Sequence, residues 1–194
     1  GPSMVGAALL WRVAQGGRMA GALCGAAATL IGLVSPLVRT QPWLGSLPPA
    51  LQWYISPVGN HSTFTLFPWS GFVFAGAAFG ALLALCRPEE QGRALWRLGV
   101  AGACIAGFSY WASYRPAIYP VTSFWTTSPT YFGLRAGTMM AAMGVLHGLA
   151  PAGALLPRIS GALARFGRHS LFVYWVHVEL VYGYATALVH HRQT

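Results

Sequence analysis

The sequence has very little negative charge. It contains three acidic residues, all of them glutamate, and all twelve of its basic residues are arginine, with no lysine. Charged residues make up 8% of the chain, against about 25% in an ordinary soluble domain. Because a water-soluble chain of 194 residues needs charge to cover its surface, this composition predicts an integral membrane protein.

Cysteine is also scarce. The three cysteines, Cys24, Cys86 and Cys104, show no CxxC spacing. Cys24 and Cys104 lie in apolar segments, where cysteine behaves as a small hydrophobic residue. The pattern therefore predicts neither a disulfide framework nor a metal site.

The net charge of +9 has two readings. In a soluble protein a strongly basic balance favours nucleic acid as a partner. Here the arginines stand between apolar blocks and not along one face, which is typical of loops that orient a membrane protein. We therefore expect membrane lipids as partners and no nucleic acid.

Long apolar stretches dominate what is present. Hydrophobic residues form 55% of the chain, and a transmembrane helix needs about 20 mostly apolar residues. The sequence predicts an all-α polytopic transmembrane bundle, in which residues 4–194 form a single domain. Residues 1–3 resemble an expression scar left by protease cleavage. About five spans are expected, near residues 19–37, 66–85, 98–114, 131–149 and 171–189.

The arginines predict the orientation of these spans. With the N-terminus in the cytoplasm, the inner side holds Arg12, Arg18, Arg87, Arg93, Arg97, Arg158, Arg165 and Arg168. The outer side then holds Arg39, Arg115 and Arg192. This excess on the inner side follows the positive-inside rule. We expect a bacterial plasma membrane, with the N-terminus cytoplasmic and the C-terminus outside.

Glycines four residues apart recur in the predicted spans. Small residues at this spacing let helix backbones approach closely in lipid. We expect these pairs to pack helices within one bundle, with dimerisation as the alternative. The pairs are Gly21/Gly25, Gly76/Gly80, Gly133/Gly137 and Gly144/Gly148.

The last predicted span carries His177 and Glu179. An ionisable group at membrane depth costs about 2.5–3.5 kcal/mol on insertion scales, so such groups commonly mark a site or pathway. The two residues lie about 200° apart around a helix and do not share a face. We take both as candidate catalytic residues. The structural alternatives are a neutral His177 bonded to a neighbouring helix and a paired or protonated Glu179.

Two further groups are candidates for binding. The mouth group, Thr126, Thr127, Ser128 and Arg135, opens the fourth predicted span, with Ser128 and Pro129 suited to the helix start. Arg135 near that positive helix end favours an anion. Alternatively, Arg135 reaches the headgroups or pairs with Glu179. The basic cluster, Arg158, Arg165, Arg168 and His169, precedes the last span and suits phosphates, with orientation charge as the alternative.

Three segments resemble a known family. They are "FTLFPWSGFVFAGAAFG" at 64–80, "FWTTSPTYFGLRAG" at 124–137 and "FGRHSLFVYWVHVELVYG" at 166–183. In this order they resemble the later part of the heparan-alpha-glucosaminide N-acetyltransferase-like family of membrane proteins. The Phe-Pro-Trp at a helix entrance and the Ser-Leu-x-x-Tyr-x-x-His block carry the resemblance.

The resemblance implies a polytopic acyltransferase that takes an acetyl group from acetyl-CoA on one face and delivers it to a sugar on the other. Acyl-CoA is then the co-substrate, and no metal is implied. The basic cluster would meet the CoA phosphates, His177 and Glu179 would line the interior, and the mouth group would lie toward the acceptor.

The family's early helices carry an Asp-x-x-Arg-Gly start and a histidine central to transfer, and neither occurs here. The chain is therefore expected to be a C-terminal portion or a shortened member. Its partners would be the missing N-terminal helices or a second copy.

The residues leave a different class of function open. A non-enzymatic membrane scaffold, or a small transporter with His177 and Glu179 in its proton or solute pathway, fits the same last span.

Overall fold

A computed structural model describes residues 2–56, 65–153 and 157–169. Every regular element in these ranges is helical, which confirms the predicted all-α class there. The helices are α1 (Pro2–Val13), α2 (Gly17–Arg39), α3 (Pro49–Ile55), α4 (Leu66–Ala84), α5 (Pro88–Ser113), α6 (Pro129–Gly153) and α7 (Pro157–Arg168), with a 3-10 turn at Pro42–Ser46. The chain divides into two compact units, Gly1–His147 and Gly148–Thr194.

Four of the predicted spans fall on described helices, namely α2, α4, α5 and α6. Of these, α2 and α4 are long and apolar enough to cross a membrane. The other two helices are long enough but less apolar. Arg97 and several glycines lower the mean hydropathy of α5, and Arg135 and His147 lower that of α6. The span at 171–189 lies outside the described residues. The five-span arrangement therefore stays a prediction.

Helices α2 and α4 pack antiparallel through small side chains. A Cβ atom on Gly21 would lie 3.3 Å from that of Ala81, and one on Gly25 would lie 3.9 Å from that of Ala78. Ala20, Cys24 and Ala28 are buried at intervals of four residues on α2, the spacing that keeps one helix face toward its neighbour.

Helices α5 and α6 approach still more closely. A Cβ atom on Gly99 would lie 2.9 Å from the Cα of Gly144, and one on Gly137 would lie 2.6 Å from the carbonyl oxygen of Gly102. These contacts leave no room for a side chain, so both pairs require glycine. Gly76 and Gly80, which have the same spacing, meet nothing within 4 Å and do not act as a packing pair in the described part of the chain.

One large residue joins three of these helices. The ring of Phe132 on α6 fills the space beside Gly32 of α2 and Gly71 of α4, where added Cβ atoms would lie 2.7 and 2.8 Å from it. Phe132 is 9% exposed. The end of unit 1 where α2 and α5 end and α4 and α6 begin is called the Arg39 end, and the opposite one the Arg18 end.

Large apolar side chains point away from this packing. In the described ranges the buried apolar residues are mainly alanine and cysteine, whereas Phe108 is 67% exposed and Leu146 63%. Large residues outside and small residues inside is the reverse of a water-soluble core.

Replacing Gly137 by leucine tests the α5–α6 contact. The side chain would meet the backbone of α5, so we expect unfolding in mixed micelles to become easier by about 1–3 kcal/mol, the usual cost of overpacking. Gly107→Leu is the matched control, since a Cβ there meets nothing within 4 Å. Equal effects of the two changes would contradict the packing described.

Candidate functional site

Polar side chains gather at the Arg39 end. The guanidinium of Arg39, the last residue of α2, donates to the carbonyl oxygen of Thr126 at 3.1 Å and to the Thr65 hydroxyl at 3.4 Å. Thr65 is 2% exposed and donates in turn to the carbonyl oxygen of Phe67 at 2.7 Å. Arg39 therefore ties the end of α2 both to the entrance of α4 and to the turn before α6.

The turn at 123–128 is built by its own hydroxyls. The backbone N–H of Ser123 donates to the Thr127 hydroxyl at 2.9 Å. The carbonyl oxygen of Ser128 accepts the first helical hydrogen bond of α6 from Phe132 at 3.1 Å, and Pro129 is the first helical residue. This confirms the predicted helix start, although the Ser128 hydroxyl bonds to that of Thr130 at 2.6 Å and not to a backbone N–H.

Arg135 lies against aromatic rings one and a half turns into α6. Its guanidinium carbon is 4.7 Å from the centre of the Tyr131 ring and 5.6 Å from that of Trp69. Such stacking holds a cation over the negative ring faces. It also leaves the N–H groups at the edge of the guanidinium plane as donors.

Further rings extend this contact into an arginine–aromatic cluster, defined as Arg135, Trp69, Phe124, Trp125 and Tyr131. The centres of the Phe124, Trp125 and Tyr131 rings lie 5.2–5.4 Å apart. Edge and tilted contacts at this range stabilise aromatic pairs, so the rings hold Arg135 in place.

The described carboxylates lie far from this cluster along the helices. Glu89 and Glu90 occupy the first turn of α5, at the Arg18 end, where negative charge suits the helix N-terminus. Among the residues that the structure describes, the Arg39 end thus carries two partly buried guanidinium groups without a carboxylate beside them.

An apolar groove continues from the cluster toward the Arg18 end. It lies between α4 and α6 and has a volume of about 240 Å³. No charged residue lines it. Its lining is Phe72, Ala75, Gly76, Phe79, Ala136, Met139, Met140 and Met143.

The structure brings together one of the predicted groups. The whole mouth group lies at the Arg39 end, beside the cluster. In the second unit, Arg165 and Arg168 are exposed in the last turn of α7 and His169 follows them. Arg158 belongs to the same helix, but its side chain lies outside the described residues, as do His177 and Glu179 entirely.

Sequence reasoning missed four contributors to this end: Arg39, Thr65, Trp69 and Tyr131. The sequence alone indicates only that Arg39 contributes positive charge on the outer side. The Phe-Pro-Trp segment carries part of the family resemblance, but it assigns no site role to Trp69. No local pattern in the sequence, however, indicates that residues 39 and 126 are hydrogen-bonded.

No group of three or more histidine, cysteine or acidic residues that could hold a metal ion is present in the described ranges. In the residues that the structure describes, the chain is all-helical, two of its helices are long and apolar enough to cross a membrane, and the Arg39 end carries two guanidinium groups. Compared with known proteins, the chain matches no family model, no curated protein and no solved structure.

Replacing Arg39 by glutamine tests whether its hydrogen bonds order the turn at 123–128 and the entrance of α4. Hydrogen bonds from a charged donor contribute up to about 1.5–3 kcal/mol. We therefore expect faster hydrogen exchange of the backbone amides at 123–128 and at the entrance of α4. Arg115→Gln is the control, because the described contact of the Arg115 guanidinium is with the Trp111 ring, whose centre lies 4.6 Å away. Unchanged exchange at 123–128 in the Arg39 variant would show that the bond does not order the turn.

Proposed function

We propose that the chain is an integral membrane protein of the acyltransferase type. Its membrane placement is supported by the burial pattern. Only 33% of the most apolar 18-residue stretch of α2 is buried, and only 22% of that of α4. A core helix of a soluble protein is mostly buried. Lipid around these exposed faces removes the cost of leaving them in water.

The observation that carries the acyltransferase proposal is the arrangement of the mouth group and Arg39 at the Arg39 end. The second family-like segment, 124–137, forms a hydroxyl-rich turn followed by Arg135, and Arg39 adds a second guanidinium to it. Hydroxyls and planar cations suit a sugar-type acceptor, especially one that carries an anionic group. The resemblance of 64–80 and 166–183 to the same family supports the proposal independently of the mouth.

The chemistry assigns a role to each remaining group. A histidine of the bundle accepts the proton of the acceptor hydroxyl or amine as that atom attacks the thioester carbon of acyl-CoA. The carbon–sulfur bond breaks, the acceptor keeps the acyl group, and CoA leaves as its thiol after regaining the proton. His177 and Glu179, on different faces of the last predicted span, tune this site, and the exposed Arg165 and Arg168 meet the CoA phosphates.

The spans at 98–114, 131–149 and 171–189 complete the proposed bundle of five, with the N-terminus in the cytoplasm. In unit 1 the arginines follow this orientation: Arg18, Arg87 and Arg93 lie toward the Arg18 end. This end is the cytoplasmic one in the proposal, and the mouth at the Arg39 end faces outward.

Acetyl transfer in proteoliposomes tests the proposal. The reaction contains acetyl-CoA and an amino-sugar acceptor. It is run on the chain alone and on the chain co-expressed with N-terminal helices that carry the family's Asp-x-x-Arg-Gly start. We expect His177→Ala and Glu179→Gln each to lower the transfer rate, by less than the roughly 10²–10⁴-fold that loss of the general base itself would cause.

His147→Gln is the matched control for the histidine variant, since His147 lies beside Gly92 at the Arg18 end and has no assigned role. Unchanged rates in the His177 and Glu179 variants would refute their assignment. Absence of CoA binding, together with pH-dependent solute uptake, would instead support the transporter class.

A further inference from the structure

The groove between α4 and α6 begins at the arginine–aromatic cluster. Ala136, which lines the groove, follows Arg135 directly in α6. On α4 the ring of Phe72 lies 5.8 Å from that of Trp69, so the residue that stacks on Arg135 and the first groove residue are one turn apart. The apolar groove and the guanidinium group of Arg135 are therefore neighbours on α4 and α6.

Arg135 has donors available for an anion. Its guanidinium carbon lies over the rings of Tyr131 and Trp69, and contacts of this kind do not use the N–H groups at the edge of the guanidinium plane. The two described carboxylates, on Glu89 and Glu90, lie in the first turn of α5, and the start of α5 packs beside His147 near the far end of α6. The charge that balances Arg135 is therefore not a carboxylate of the described residues.

We propose that this surface binds one anionic phospholipid, with an acyl chain in the groove and the phosphate at Arg135. From Phe72 to Phe79 the groove extends about 10 Å along α4, at 1.5 Å per residue. The three methionines of its α6 wall are flexible and polarizable, which suits a chain of no fixed shape. Guanidinium and phosphate form paired hydrogen bonds.

The inference rests on the membrane placement in the proposed function but not on acyl transfer. With Arg135 engaged by a lipid phosphate, contacts to an acceptor are left to the hydroxyls of the mouth group and to the second guanidinium, that of Arg39. Loss of lipid binding and loss of acetyl transfer are measured separately, so failure of one proposal does not mimic failure of the other.

Lipid binding to the detergent-solubilised protein tests the proposal. Phosphatidylglycerol and phosphatidylcholine with the same acyl chains are titrated, and bound lipid is counted by native mass spectrometry. We expect phosphatidylglycerol to bind roughly tenfold more tightly, the effect of one charge-assisted contact. Arg135→Gln should abolish this preference while leaving binding of both lipids, because the groove is unchanged.

Filling the groove should abolish binding of both lipids. Gly76→Leu places a side chain into it from a position where a Cβ atom meets nothing within 4 Å. Gly80→Leu is the matched control, equally open on the same helix but outside the groove lining. Arg115→Gln is the matched control for Arg135→Gln, because it removes the same charge away from the groove.

Two results would overturn the proposal. One is wild-type binding of phosphatidylglycerol by the Gly76→Leu protein, which would place the lipid elsewhere. The other is a rise in phosphatidylglycerol preference in Glu179→Gln, which would show that this carboxylate, and not a lipid, balances Arg135 in the native protein.

Discussion

The fold depends on which solvent surrounds its apolar helix faces. Small residues make most of the helix contacts, and large ones such as Phe108 and Leu146 point outward, although Phe132 is buried between three helices. In water this arrangement would forfeit most of the hydrophobic stabilisation that folding requires. In lipid, association relies on close backbone approach, and the contact of Gly99 with Gly144 provides it.

The same constraint explains how the chain keeps charge at the Arg39 end. A guanidinium group removed from water needs hydrogen bonds or aromatic faces in return. Arg39 obtains carbonyl and hydroxyl acceptors, and Arg135 obtains two rings. Both arginines are thereby held at one end of an otherwise apolar unit, and a hydroxyl-rich turn joins them there.

Sequence reasoning located the features that depend on nearby residues. Apolar length indicated α2 and α4 within a few residues, and Ser128 with Pro129 marked the start of α6, because helix starts are encoded by capping and proline chemistry.

Contacts between distant residues were not predictable in this way. The Arg39–Thr126 bond joins positions 87 residues apart, and no local pattern encodes that pairing. Glycine spacing was equally ambiguous: Gly133/Gly137 lies in a helix contact whereas Gly76/Gly80 lines open space. Which face of a helix meets a neighbour is decided by tertiary packing, which a four-residue spacing does not specify.

The environment of Cys104 gives the most direct test of the membrane claim. This thiol is free and exposed on α5, inside the predicted span at 98–114. A nitroxide attached there in liposomes, with Cys24 and Cys86 replaced by alanine, reports collisions with dissolved oxygen and with a water-soluble nickel chelate. We expect frequent oxygen collisions and few nickel collisions, as for a site facing lipid. Frequent nickel collisions would show that this face lies in water and would contradict the account.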